Sequence, residues 1–368
     1  MKMEYEQRLE ELTTYLKKEE IDIAMITYPP NVFYYTGFNT DPHERFLALM
    51  IDTRSDQYFF FVPELDAEIA KNDSMIETII PISDAEDPFD VVKQTIKTDN
   101  VATFGMEKKA VTVFRLEGLE NIITDASFVD IQPKIDLQRM KKSPKEIEFA
   151  QEAVNIIERV MSEGIKQVKV GMTEVELIAE LEYLMRKFGA DSPAFSTLVL
   201  SGEKSALPHG SPGDRTLQKG DFLLIDMGVI KNGYCSDITR TFIIGEASEK
   251  QKEIYNIVLA SNEAGIHAIN AGTEMKEFDI AARNVIEEAG YGEYFHNRVG
   301  HGLGIEVHEE PSVHMANNSL AESGLLFTIE PGIYIPGFGG VRIEDEVYIN
   351  VEGKKDVLTS FPKELLVI

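Results

Sequence analysis

Four carboxylates stand inside or at the edge of apolar, strand-like runs in the C-terminal part of this 368-residue chain. They are Asp226 in Leu-Leu-Ile-Asp226-Met-Gly, Asp237 in Cys-Ser-Asp237-Ile-Thr-Arg-Thr, Glu330 in Phe-Thr-Ile-Glu330-Pro-Gly and Glu344 in Val-Arg-Ile-Glu344-Asp-Glu. His301 joins them, in Val-Gly-His301-Gly-Leu-Gly. A bare carboxylate is costly to bury unless it is paired or coordinates a metal. A fold that buries these runs must therefore gather the acids around a cation or two, with the imidazole as a fifth donor. A carboxylate-rich set with one imidazole suits Mn2+, Co2+, Zn2+ or Fe2+. The chain has no thiolate cluster for a structural zinc site.

The local pattern says how the acids meet. Lys219-Gly220-Asp221 reads as a turn, 222–230 as a strand, Asn232-Gly233 as a hairpin turn and 234–244 as the returning strand. Asp226 and Asp237 fall on opposite arms, where cross-strand neighbours can share ligands. The plan recurs downstream, with strands over 327–335 and 341–350 joined by Pro336-Gly337-Phe338-Gly339-Gly340, and Glu330 and Glu344 on the two arms. Helices repeat as well. Gly171 to Gly189 and Gly272 to Gly290 bracket amphipathic segments at the same 18-residue spacing, and each closing glycine suits a left-handed cap. Gly220, Asp226 and Gly228 match Gly324, Glu330 and Gly332 at a constant offset of 104. Two similar halves related by a pseudo-two-fold axis follow.

The N-terminal part is of another kind. Residues 1–132 alternate helical and strand patterns, with a charged helix over 4–19 and strands at 21–27, 46–51, 58–62, 76–80, 101–104 and 128–131. This is an α/β unit with a mostly buried sheet. A linker is expected over 133–142. Ser143-Pro144-Lys145-Glu146 supplies an N-cap, a first-turn proline and a capping-box acid, opening the second domain, 143–368. Lysines and arginines number 36 against 63 acids, a net charge of −27, which disfavours nucleic acid and anionic membrane as partners. The N-terminus lacks the apolar core of a signal peptide, and no run approaches the length of a transmembrane helix. The lone cysteine, Cys235, forms no internal disulfide and fits a reducing cytoplasm. It reads as a packed core thiol.

The chain resembles the pita-bread metallopeptidases, the family of Xaa-Pro dipeptidase (prolidase), aminopeptidase P and methionine aminopeptidase. The order Asp226, Asp237, His301, Glu330, Glu344 matches that family's ligand order, and His301-Gly-Leu-Gly-Ile-Glu-Val-His308-Glu-Glu-Pro and Thr328-Ile-Glu-Pro-Gly are its most specific strings. The likeness spans 140–368. It extends more weakly to Pro30-Asn31-Val-Phe-Tyr-Tyr-Thr-Gly37, which looks like the creatinase/prolidase-type N-terminal domain. Methionine aminopeptidases lack that domain, so the Xaa-Pro branch is favoured. The fold implied is an α/β N-terminal domain plus an α+β pita-bread domain with its internal pseudo-two-fold repeat.

The resemblance implies two divalent ions per subunit, Mn2+ first. Asp226 would chelate one ion, Asp237 and Glu344 would bridge both, and His301 and Glu330 would complete the other. A bridging hydroxide would attack the scissile carbonyl, with Glu330 as general base. It further implies that His209, in Leu-Pro-His209-Gly-Ser, and His308 contact the substrate and stabilise the tetrahedral intermediate. Arg342 would hold a bridging carboxylate by a bidentate pair, and Tyr334 would line the pocket. His43 reads as a solvated loop residue, with reach to a neighbouring site as the other option. His267, His296 and His314 match no motif.

Small peptides with proline second are the implied substrates, and a homodimer the implied assembly. Some dipeptidases of the family carry a basic residue just after the second histidine to grip the free carboxylate. Here that stretch is Glu310-Pro311-Ser312-Val313. The reading favoured is an Xaa-Pro dipeptidase. Aminopeptidase P, acting on longer Xaa-Pro peptides, is the alternative. A catalytically silent binding module on the same fold is the alternative of another class.

Overall fold

The computed structural model describes residues 2–368, which divide into two compact units, the first ending at Arg139 and the second spanning Met140–Ile368. Among the described residues no helix is long and apolar enough to cross a membrane.

The first unit is built on one six-stranded mixed sheet. Its order is Ile79–Ile82, Gln57–Pro63, Ala48–Asp52, Ile23–Ile26, Thr103–Met106, Ser127–Asp130. The central strand Ile23–Ile26 is buried along its whole length, as expected of a sheet covered on both faces. Ile23, Met25, Met50, Phe61 and Phe104 form the centre of its core. The strand expected at 76–80 lies at Ile79–Ile82 instead. It is an edge strand, so Pro81, which has no N–H to give, is tolerated within it.

The stretch 133–142, expected as a linker, is largely the helix Gln132–Met140. Proline and a run of polar residues made it look solvated. Pro133 sits in the first turn, where no N–H is needed. Several of the polar side chains are buried and bonded. The Tyr35 hydroxyl donates to Gln138 Oε1 at 2.8 Å, Gln138 Nε2 donates to the Arg8 carbonyl at 3.1 Å, and Arg139 Nη1 donates to Asn31 Oδ1 at 2.6 Å.

The second unit opens with the capping box of Ser143 and Glu146 on the helix Pro144–Gly164. The helix Glu174–Lys187 has its own capping box, and Lys276–Glu288 is its counterpart in the second half. Gly171, Gly189, Gly272 and Gly290 all take positive φ, so the repeat read from the sequence is present in the backbone.

Both hairpins form, and each breaks once in its middle. The first runs Phe222–Met227 and Val229–Lys231, turns at Asn232-Gly233, and returns as Tyr234–Cys235 and Ile238–Ile243. Positive φ at both turn residues, 53° and 79°, matches a type I′ turn. The second runs Leu326–Ile329 and Gly332–Ile335, then Gly339–Arg342 and Asp345–Ile349. Register holds across each break. Ile329 faces Asp345 and Gly332 faces Arg342, so Glu330 stands opposite Glu344. Asp226 faces Thr239, which makes Asp237 its diagonal neighbour.

Side-chain alternation decides which face carries the acids. Leu223, Ile225, Met227, Ile238 and Phe242 pack with Ile157, Val160, Leu177 and Leu181 of the two helices behind the first hairpin. Phe327, Ile329, Ile343 and Val347 pack likewise with Val258, Phe278, Ala282 and Ile286 behind the second. Asp226, Asp237 and Glu344 lie at alternate positions on the facing sides. The hairpins bond to each other there. Glu344 N donates to the Thr239 carbonyl at 3.1 Å, and Asp237 N donates to Glu346 Oε1 at 2.8 Å.

A buried ion pair locks this junction. Arg240, 1 % exposed, donates to Asp345 Oδ1 at 2.8 Å and to the carbonyls of Glu344 and Phe361. Gly228 marks the first break, because a Cβ there would sit 2.0 Å from the Ser236 carbonyl oxygen, which is backbone and cannot yield cheaply. Gly228→Ala is therefore expected to cost about 1–3 kcal/mol. Urea unfolding measures it, and a midpoint equal to wild type would mean that the close approach is unimportant.

Candidate metal centre

The breaks in the two ladders are where the acids gather. Pro331 has no N–H, so the ladder is interrupted at Glu330-Pro331 and resumes at Gly332. The carbonyls left over at this break are taken up from behind. Asn262, buried on the helix Glu249–Ala268, donates to the Ile329 and Ile343 carbonyls at 3.0 and 3.3 Å. His301 lies on the short strand Gly300–Gly302. Gly300 lets that strand close on its neighbour, since a Cβ there would lie 1.8 Å from the Thr328 carbonyl oxygen. His301 Nδ1 sits 3.2 Å from the Gly302 carbonyl, which leaves Nε2 pointed at the acids, 3.4 Å from Glu330 Oε1 and 3.7 Å from Asp237 Oδ2.

Asp237, His301 and Glu344 each offer an atom within 4.8 Å of the others. All five expected ligands line one cavity of about 500 Å3, together with His209, His308, Tyr334 and Arg342. His308 meets His301 edge to face at 4.2 Å between ring centres. His267, His296 and His314 do not line it. His43 belongs to the first unit, on an exposed loop beside Asp41. Cys235 is buried against the Ile305 carbonyl, and burial pushes its thiol up, as a packed core thiol requires.

Arg342 holds a different carboxylate from the one expected. Its Nη2 bonds Asp226 Oδ2, Nη1 donates to the Tyr334 hydroxyl at 3.0 Å, and Nε donates to Thr239 Oγ1 at 3.1 Å. Thr239 intervenes, because its hydroxyl donates to Glu344 Oε2 at 2.7 Å while accepting from Arg342. The expected bidentate pair with a bridging acid is thus replaced by a relay through a hydroxyl. Sequence reading also missed Arg298 on the cavity wall. It donates to Ser312 Oγ at 3.0 Å and has no acidic partner among the described residues. The one signal available was its place three residues before His301.

The electrostatics fit bound cations. Asp226 Oδ1 and Asp237 Oδ1 are buried without a hydrogen-bond partner. Burial, then the facing Glu344, Asp226 and Glu330 carboxylates, pushes Asp237 well above the carboxylate range. Burial and Glu330 do the same to Glu344. Burial raises Glu330 from 4.5 to about 7 against the pull of Arg342. His301 is driven down to about 3, by burial first and His308 second, so it is a neutral donor. Acids that cannot ionise together unaided, beside a neutral imidazole, form a donor set that a divalent cation completes.

This arrangement defines the class, a two-domain protein with a carboxylate-rich donor set suited to divalent cations. The chain belongs to the metallopeptidases of family M24, which match residues 148–350, and residues 8–141 match the creatinase/prolidase N-terminal domain. It is 41% identical to YkvY of Bacillus subtilis, whose name makes it a candidate dipeptidase, over 98% of this chain and 99% of that one. An Xaa-Pro dipeptidase from Bacillus anthracis superposes with a TM-score of 0.91 at 35% identity, covering 99% of this chain and 100% of that one. An X-Pro aminopeptidase from Thermotoga maritima superposes at 0.87 and 35%, covering 95% and 98%. The fold is therefore that of the pita-bread enzymes.

A pH dependence follows. In the cation-free fold Glu330 keeps a proton up to about pH 7, well above its ordinary 4.5. The unfolded chain loses that proton earlier, so stability of chelator-treated protein should fall as pH rises between those two values. Added Mn2+ should restore it and expel protons. Calorimetry at pH 6 in buffers of different ionisation enthalpy checks this. Heats independent of buffer would mean that the acids are already ionised.

Proposed function

We propose that the chain is an Xaa-Pro dipeptidase that works with two divalent ions, Mn2+ first. The observation that carries this reading is the single cavity that gathers the five ligand-type side chains with His209 and His308. Asp226, Asp237, His301, Glu330 and Glu344 would hold the ions, with Asp237 and Glu344 shared. Bound there, such ions lower the pKa of water and polarise a carbonyl.

The chain's own groups supply the rest. Glu330 is held at the break beside His301 and reaches into the cavity. A carboxylate held beside ion-bound water suits a base that takes a proton from that water and returns it to a leaving nitrogen. That return matters for Xaa-Pro bonds, because the leaving nitrogen is proline's own, a tertiary amide nitrogen that carries no hydrogen. His308, lowered by burial, is neutral and able to donate toward the developing oxyanion, with His209 across the cavity. Arg342 and Tyr334 keep Asp226 in place.

Arg298 favours a dipeptide. A dipeptide brings a free carboxylate into the cavity, and Arg298 is the lining cation not already committed to an acid. The likeness to an X-Pro aminopeptidase keeps longer peptides as the second reading. The lone buried thiol suits the cytoplasm, and the family resemblance supports a homodimer.

Hydrolysis of Ala-Pro and Ala-Pro-Ala by Mn2+-loaded protein separates the readings. Cleavage of Ala-Pro alone is expected. Release of alanine from the tripeptide would move the assignment to aminopeptidase P, and no cleavage of either would leave a binding module. Glu330→Gln should lower kcat by about 10²–10⁴-fold. Arg298→Met should raise KM for Ala-Pro by roughly 10- to 100-fold, the worth of a charge-assisted hydrogen bond, and leave Ala-Pro amide unchanged. Equal effects on acid and amide would remove Arg298 from the carboxylate site.

A further inference from the structure

The loop that carries His209 leaves the strand Leu198–Ser201 and returns toward Phe222–Met227. Both of its ends close on one carboxylate. Glu174, the first residue of the helix Glu174–Lys187, is 0 % exposed. Its Oε1 accepts from Ser201 N and Ser201 Oγ, each at 2.8 Å. Its Oε2 accepts from Gly213 N at 3.0 Å and from Lys204 Nζ. The outgoing strand end, the first turn of the loop and the returning backbone thus share one buried acceptor. Charge-assisted bonds of this kind are about twice as strong as neutral ones.

Neighbours finish the clamp without reaching the tip. Arg215 forks onto Asp221 at 2.6 and 3.0 Å and donates to Ser201 Oγ at 2.8 Å. Ser205 Oγ donates to the Gly202 carbonyl and accepts from Gly340 N. Beyond Ser205 the loop has short-range turns, Leu207 N to the Lys204 carbonyl and Gly210 N to the Leu207 carbonyl. The His209 imidazole makes no hydrogen bond to another described residue, yet it lines the cavity. Its place there is set by the loop, and the loop by Glu174.

We propose that Glu174 is a positioning residue for the reaction read above, acting through His209 by fixing both ends of the loop that presents that imidazole. The proposal rests on the dipeptidase reading for the part His209 plays in the chemistry. Loop anchoring itself is independent of it.

The test is a double-mutant cycle on Ala-Pro with wild type, Glu174→Gln, His209→Ala and the double variant, all loaded with Mn2+. Glu174→Gln keeps the side-chain volume and removes the charge. It should lower kcat/KM by roughly 10- to 100-fold, the usual cost of a misplaced group, with Mn2+ content unchanged. In the His209→Ala background the same substitution should cost less than about twofold, the mark of a shared route. Equal losses in both backgrounds would overturn the proposal. Hydrogen exchange over 202–213 should rise in Glu174→Gln while the hairpins stay protected, and unchanged exchange would refute the anchor. Should Glu174→Gln fail to fold, Lys204→Met removes one donor to the same carboxylate and is expected to give both signs at smaller amplitude. A wild type inert toward every Xaa-Pro peptide would end the functional reading and the part of His209 in it. Exchange would still uphold or refute Glu174 as the anchor.

Discussion

Everything in the second unit depends on one electrostatic constraint, four carboxylates facing each other in a buried space. Left alone they repel, and burial adds to the cost of charging them. The fold brings them together because the hairpins that carry them are committed elsewhere, by apolar faces packed on two pairs of helices and by the Arg240–Asp345 pair at the junction. Helix packing and hairpin register thus fix the acids in advance of any ligand. A cation would then meet a preformed site. The favourable packing behind the sheets offsets the unfavourable charge in front of them.

Around that centre the polar groups divide between holding and acting. Arg342, Thr239 and Tyr334 form a chain that fixes Asp226 and Glu344. Asn262 closes the carbonyls that the ladder break leaves open. Glu174 gathers both ends of the His209 loop. Besides Asp226 and Asp237, each with an unpartnered oxygen, the cavity lining includes Glu330, His308, His209 and Arg298, and these four are the ones read as meeting the substrate. Family membership agrees at the level of a metallopeptidase. Similar folds serve a dipeptidase and an aminopeptidase, so the choice of substrate rests on side chains such as Arg298 rather than on the fold.

Much of this was legible in the sequence because it rests on short-range patterns. Asn232-Gly233 allows a type I′ turn, and the 104-residue offset between Asp226 and Glu330 survives as equivalent places on two hairpins. The ladder breaks were not legible, although Gly228 and Pro331 stand at them, since neither residue alone shows that pairing resumes in register beyond it. The helix Gln132–Met140 escaped for a different reason. All but Ile135 of its buried side chains are polar, and the partners of Gln138 and Arg139, namely Tyr35, Arg8 and Asn31, lie a hundred or more residues away. Arg342 lines the cavity but bonds Asp226 rather than a bridging acid, because spacing along a strand cannot reveal that Thr239 stands between it and Glu344. Arg298 carries no motif, and its place three residues before His301 gains meaning only from its position on the cavity wall.

The central claim is that the facing acids are a preformed site for two cations. Anomalous diffraction from crystals grown with Mn2+ tests it most directly. The account predicts two anomalous peaks per chain, each bounded by carboxylates of this set, with Asp237 and Glu344 touching both and His301 touching one. Crystals with full Mn2+ exposure, unchanged hairpins and no peak among these five residues would contradict it.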